Sequence, residues 1–181
     1  MPEYREAKQI TRSLHCYRDS KNSKRIDKST GSLGGGNHSI DLNKDESGLL
    51  YLVVHTGSRN LGKQVADFYQ QMAIKSLTKN GETLLPKALC FLQGEQKEKY
   101  LHDMKLCQRW AVLNRKLIMG LLMDFLQANS YVSSVNNEDA FESVHNYISD
   151  ENLIRKGAIS AKLGEKCIIP MNMRDGSLIC I

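Results

Sequence analysis

The sequence predicts an α+β fold with mostly antiparallel sheets and one long helix. Two long stretches repeat apolar residues at helical spacing, several short apolar runs end in glycine or polar turns, and strands and helices do not alternate regularly enough to build a parallel sheet. Taking the elements in order, residues 3–17 read as a helix, and residues 18–30 follow as a polar, basic run that reads as loop and solvated face. The glycine-rich segment 31–38 leads into a short strand at Ser39-Ile40-Asp41-Leu42. After a polar turn, Leu49-Leu50-Tyr51-Leu52-Val53-Val54 is short, continuous and β-branched at its end, as a buried strand is. His55-Thr56-Gly57-Ser58-Arg59-Asn60 stops that strand. A helix then runs from Leu61 to about Leu77 with Val65, Phe68, Tyr69, Met72 and Leu77 inward. Residues 80–93 are a loop broken by glycine and proline, and residues 96–129 form the long helix, with Met104, Cys107, Ala111, Ile118, Leu121 and Phe125 on its stripe. The tail reads as a polar loop, a short apolar element around His145, and strands at residues 166–169 and 177–181 flanking a turn at 170–176.

Composition narrows the class of protein. A chain of 181 residues can bury roughly 70% of its unfolded surface and so hold a real core. Its 41% hydrophobic and 25% charged residues, with a mean hydropathy of −0.41, argue against both a membrane protein and a disordered one. The start lacks the apolar core of a secretory signal, so the expected compartment is the cytoplasm. Five scattered cysteines without CxxC spacing exclude a disulfide framework or a closed zinc knuckle. A net charge of +5 is a mild bias toward anionic partners and no nucleic-acid signature by itself.

Three histidines stand in unusual settings. His38 follows a glycine run, His55 is the first residue after a strand, and His145 precedes Asn146 in an apolar element. Each alone suits a hydrogen-bonded turn or core position, whereas together they suit a divalent metal site assembled from distant loops. His15 and His102 lie among charged residues and read as surface. The run Gly34-Gly35-Gly36 permits close approach of backbone amides to anionic oxygens. His55 to Arg59 is either a helix cap with a solvent arginine or an anion grip at a helix start. Asn114 falls on the core stripe of the long helix, so with Arg115 it is either a satisfied structural anchor or a site-facing pair.

The segments Gly31-Ser-Leu-Gly-Gly-Gly-Asn-His38, Val53-Val-His-Thr-Gly-Ser-Arg-Asn-Leu-Gly62, Asn114-Arg115, His145-Asn146, Arg155-Lys-Gly-Ala158 and Ile169-Pro-Met-Asn-Met-Arg-Asp-Gly-Ser177 resemble the RtcB-type RNA ligases, in order and over nearly the whole chain. The resemblance implies joining of an RNA 3′-phosphate or 2′,3′-cyclic phosphate end to a 5′-hydroxyl end, with GTP and two manganese ions (Mn2+), through a guanylylated histidine. It implies that His38 binds one manganese and that His55 and His145 bind the other. Asn37, His38, Ser39, Ile40, Asp41, His145, Asn146, Pro170, Met171, Asn172, Met173 and Ser177 would surround the guanylate, and Arg59 would face an RNA phosphate. RNA ends and GTP are thus the expected partners, with no membrane.

Departures from the family pattern are also informative. The family's Asp-x-Gly-Cys-Gly-Met segment, which supplies an aspartate and a metal-bridging cysteine, is expected before residue 1. The Pro-His-Gly-Ala-Gly-Arg segment with the nucleophilic histidine is expected beyond Ile181. Asp41 stands where the family usually has glutamate, and Ser39 where it has a bulky residue. The chain therefore reads as an internal, central part of one RtcB-like catalytic domain, incomplete at both ends: residues 1–30 are a helical, basic lead-in and residues 31–181 carry the metal and guanylate segments. Such a chain is not expected to ligate alone. Two other classes compete: a non-catalytic module that binds guanylate or RNA ends, and a metal-dependent phosphohydrolase. In the latter Asn37, Asp41 and Ser177 would have no evident task.

Overall fold

The computed structural model describes residues 1–19, 23–149, 153–172, 174 and 176–180. The chain divides into two compact units, Met1–Ser39 with His55–Gly120, and Ile40–Val54 with Leu121–Ile181. Among the described residues the architecture is α+β, with short two-stranded sheets and one long helix, and no helix is long and apolar enough to cross a membrane.

The first unit is helical. Helix α1 (Pro2–Ser13) opens on a proline, which has no N–H to leave unpaired, with Glu3 in its first turn and Arg12 in its last, each matching the helix dipole. Its Ala7, Ile10 and Thr11 are buried, the spacing of one helical face. Helix α2 (Ser23–Ser29) lies where the sequence reads as loop. Its Ile26 is only 1% exposed, and one apolar residue in one or two turns leaves no periodicity to detect. Helix α3 (Arg59–Ser76) buries Leu61, Val65, Tyr69 and Ala73 at strict four-residue spacing.

Residues 80–93 are not wholly irregular. Strands β3 (Thr78–Lys79) and β4 (Glu82–Thr83) pair antiparallel around Asn80-Gly81. Both turn residues have positive φ, 53° and 83°, the conformation that favours Asn-Gly in tight hairpins.

Helix α4 spans Gly94–Ala128 and buries Asp103, Cys107, Trp110, Ala111, Leu113, Asn114, Leu117 and Ile118. The predicted stripe is right for Cys107, Ala111 and Ile118, but burial stops there: Leu121 and Phe125 are more than half exposed. The largest fully buried side chain is Trp110, which clusters with Ala7, Ile10, Leu14, Cys16, Ile26, Leu61, Val65, Tyr69, Cys107 and Leu113. The cluster is built by the helices and the turn after α1, so over this stretch α4 meets other helices.

The second unit is built from ribbons. Strands β1 (Ser39–Lys44, its first residue in the other unit) and β2 (Leu50–His55, its last likewise) form a two-stranded sheet. Asp45 closes the connection by accepting from Ser47 Oγ, the Leu49 N–H and Tyr51 Oη at 2.6, 3.0 and 3.1 Å. Strands β5 (Asn146–Ile148) and β6 (Ile154–Lys156) pair antiparallel. So do β7 (Cys167–Asn172) and β8 (Gly176–Cys180), with Cys167 opposite Cys180 and Pro170 opposite Ser177. Strand β7 therefore runs past Pro170, where the sequence suggests a turn. The register shifts between Pro170 and Asn172, which accommodates a residue that cannot donate to the ladder.

Candidate functional site

Two loops of the first unit are tied to α4 and to each other. Asn114 is fully buried; its Oδ1 accepts from the Gly31 N–H at 2.7 Å and its Nδ2 donates to the Ser32 carbonyl at 3.1 Å. The next residue, Arg115, donates from Nη1 to the Thr56 carbonyl at 3.1 Å, while Thr56 Oγ1 donates to the Leu33 carbonyl at 2.6 Å. Asn114 and Arg115 are thus structural anchors, and what they anchor is the glycine loop and the His55–Arg59 turn. A buried amide with both ends matched holds a loop more firmly than exposed polar contacts can.

That anchoring brings His38 and His55 together, with ring centroids 6.0 Å apart in an edge-on arrangement. Arg59, the first residue of α3, has φ 55°, a left-handed conformation uncommon for a side chain of this size. Its guanidinium reaches back over the glycine loop: Nη1 lies 3.1 Å from His38 Nδ1 and Nε lies 3.3 Å from Ser32 Oγ. Arginine can only donate, so His38 Nδ1 is the acceptor. Gly34 has φ 95°, and a Cβ there would overlap the Arg59 guanidinium. The backbone conformation therefore favours glycine at position 34, and a side chain there would displace the Arg59 guanidinium from its place over the loop. At Gly35 and Gly36 an added Cβ would meet nothing within 4 Å, so the tip of the loop is open to a ligand. Burial first, and the Arg59 charge second, lower the His38 pKa below its ordinary value, which keeps the ring neutral.

The remaining sequence-derived site residues lie on or beside ribbons. On β1, Ser39, Asp41 and Asn43 share the half-buried face and Ile40 and Leu42 the exposed one. In the second unit Asn146 Nδ2 lies 2.9 Å from His145 Nδ1, and Asn146 Oδ1 accepts from the Gly157 N–H at 2.9 Å. That second bond fixes the amide orientation, so Asn146 donates and His145 Nδ1 accepts. Pro170 and Ser177 are partners across the β7–β8 ladder, and Met171 is exposed. Met173 and the side chain of Asn172 lie outside the described residues.

The donor chemistry of the loop histidines fits a divalent transition ion. Neutral imidazoles are ligands for such ions, and a centroid separation of 6.0 Å is compatible with ligation of one ion or of two neighbouring ones. For the guanylate, the open glycine tip is consistent with close approach by phosphate oxygens.

A second group of donors was not expected. His15 follows α1 in a turn, outside the helix predicted for it, and its ring lies 4.7 Å from that of His102 on α4. With the fully buried Asp103 they form a set of potential metal donors. Both imidazoles are exposed, as expected, but their proximity joins residues far apart in sequence and no local pattern signals it.

The family model for tRNA-splicing ligase RtcB matches residues 3–181. The chain is 33% identical over 165 residues to the RNA-splicing ligase RtcB of Escherichia coli K12, an alignment covering 84% of this chain and 40% of that protein. Against the tRNA-splicing ligase RtcB of Pyrococcus furiosus it is 33% identical over 113 residues, 54% of this chain and 12% of the relative. Against that of Pyrobaculum aerophilum it is 24% identical over 195 residues, 83% and 40%. The chain thus spans about two fifths of the Escherichia coli protein's length. Residues 3–181, which include the anchored glycine loop, the His55–Arg59 turn and the His145-Asn146 ribbon, belong to the RtcB family of tRNA-splicing ligases.

Proposed function

We propose that this chain carries metal- and guanylate-handling segments of a GTP- and manganese-dependent ligase that joins RNA 3′-phosphate or 2′,3′-cyclic phosphate ends to 5′-hydroxyl ends. The observation that supports it most is the cluster in the first unit: His38 and His55 side by side, with Arg59 laid across Gly34 onto His38. In this reading His38 holds one manganese, and His55 and His145 the other. Bound manganese would neutralise the triphosphate and orient in-line attack at its α-phosphorus. Asn37 to Asp41, His145-Asn146, Pro170 to Met173 and Ser177 hold the guanylate. None of the five histidines lies in a Pro-His-Gly-Ala-Gly-Arg segment, so the covalent step is assigned to a residue of the family outside these 181.

The chain's own residues have definable tasks. Asn114 and Arg115 keep the two loops in register. The glycine tip offers backbone amides to phosphate oxygens. Arg59 is the phosphate ligand: to grip an RNA phosphate with the edge that faces His38 it must leave His38 Nδ1, so phosphate capture frees that lone pair.

The test is manganese-dependent retention of labelled GTP by the chain, read beside retention of oligoribonucleotides with and without a 3′-phosphate. Alanine at His38 and His55 should remove the manganese dependence, and Arg59→Ala should erase the preference for the 3′-phosphate while sparing GTP. Retention of GTP that is indifferent to manganese and to both histidines would overturn the reading.

A further inference from the structure

We propose that His15, His102 and Asp103 form a second metal site, distinct from the loop histidines, that takes a zinc-class divalent transition ion. The donor atoms of the three side chains all lie within 4.8 Å of one another. His102 Nδ1 is already 3.0 Å from Asp103 Oδ1. Donors arranged tetrahedrally at zinc's bond lengths of ~2.0–2.2 Å are roughly 3.3 Å apart, so this pair needs only a few tenths of an ångström of movement. Rotation of the exposed His15 ring about its own side-chain bonds supplies the rest.

The support around the carboxylate is what a metal ligand requires. Asp103 is fully buried, and its oxygens accept from the backbone N–H groups of His15 and Cys16 at 2.9 and 3.2 Å and from Tyr69 Oη at 2.9 Å. These bonds come from the turn after α1 and from α3, so its orientation is set by tertiary contacts, as for the outer shells that orient ligating carboxylates. Among the described residues its hydrogen-bond partners are two backbone amides, a phenol and the His102 imidazole, none of them a fixed cation. An ion beside it would add a full positive charge to a carboxylate now held by hydrogen bonds alone.

Ligand type and access select the ion. Two imidazoles and one carboxylate favour zinc over manganese in the general affinity order of divalent metals. The His102 side chain is 49% exposed, which leaves room for a water at the fourth position of a three-ligand site. The site is also separate from the loops: Asp103 and Asn114 are both on α4, and their separation corresponds to about 16 Å of helix. A bound ion here ties the turn after α1 to α4 and so steadies the helical unit; it has no part in the reaction at the loops.

The experiment uses the full chain with His38→Ala and His55→Ala together, so that loop ligation is removed, and titrates zinc against a chromogenic chelator. One equivalent of zinc should remain bound, should be lost in the chain carrying His15→Gln and His102→Gln, and should exceed manganese binding at least tenfold. In the unsubstituted chain zinc should shift the imidazole proton resonances of His15 and His102, a reading that does not depend on any variant folding. Zinc that disappears with the loop histidines, persists without His15 and His102, or leaves their resonances unmoved would overturn the proposal.

Discussion

The helical unit and the ribbon unit handle burial differently. Among the described residues, every buried hydrophobic side chain except Cys167 belongs to the helical unit, whereas Leu42, Ile154 and Met171 of the ribbon unit are all more than half exposed. A helix satisfies its own backbone and can press an apolar stripe onto neighbours. A two-stranded ribbon keeps two edges and two faces to be covered, and is marginal alone. The difference carries into the site. The loops of His38 and His55 are tied by part-buried bonds to α4, where Asn114 itself is fully buried, while His145 is held by Asn146 and a two-stranded pair with exposed members. Rigid positioning of a loop in this chain therefore follows burial of its anchor.

The most severe test of that contrast is Trp110→Ala. Removing the largest fully buried side chain of the helical cluster should cost about 3–5 kcal/mol, read as a fall in the thermal unfolding midpoint, whereas Ile154→Ala, at a side chain 73% exposed, should change it little. Equal effects would break the comparison. Asn114→Ala comes next: it orphans the Gly31 N–H and the Ser32 carbonyl, at a cost of about 1–3 kcal/mol, and should speed proteolytic cleavage within residues 31–38 while leaving cleavage in the ribbon unit unchanged. Both variants sharpen the claim that α4 holds the loops.

Acid provides a third, smaller probe. Burial alone would raise the Asp103 pKa, but bonds from the His15 N–H, His102, Tyr69 and the Cys16 N–H outweigh it and leave the carboxyl below its ordinary value. A depressed carboxyl contributes stability that is present above the unfolded value, near 4, and is lost as pH falls through the folded one. The helical unit should therefore keep this contribution at neutral pH and lose it only below about pH 4, a loss that Asp103→Asn should abolish. A midpoint that falls between pH 7 and 5 in an Asp103-dependent way would contradict the assignment. Smallest of all, Lys63→Ala removes an exposed ion pair with Asp67 one helical turn away and should alter stability by no more than about 0.5 kcal/mol.

What the sequence determined by itself is local. The strand, glycine-containing turn and helix from Leu50 through α3 follow from β-branching, a stop signal and four-residue spacing, and each is decided within a few residues. The same holds for the order of the motifs that carry the family resemblance. Tertiary structure decided what depends on distant partners. The local pattern at Asn114 suits an anchor and a site residue alike, and its bonds to Gly31 and Ser32, more than 80 positions away, make it the anchor. Helix α2 was invisible because a single buried isoleucine has no period. The approach of His15 to His102 and Asp103 joins a turn to a helix nearly 90 residues on. Periodicity reports which face of an element is apolar; it carries no information on which other element that face will meet, because that choice is made by packing the whole chain at once.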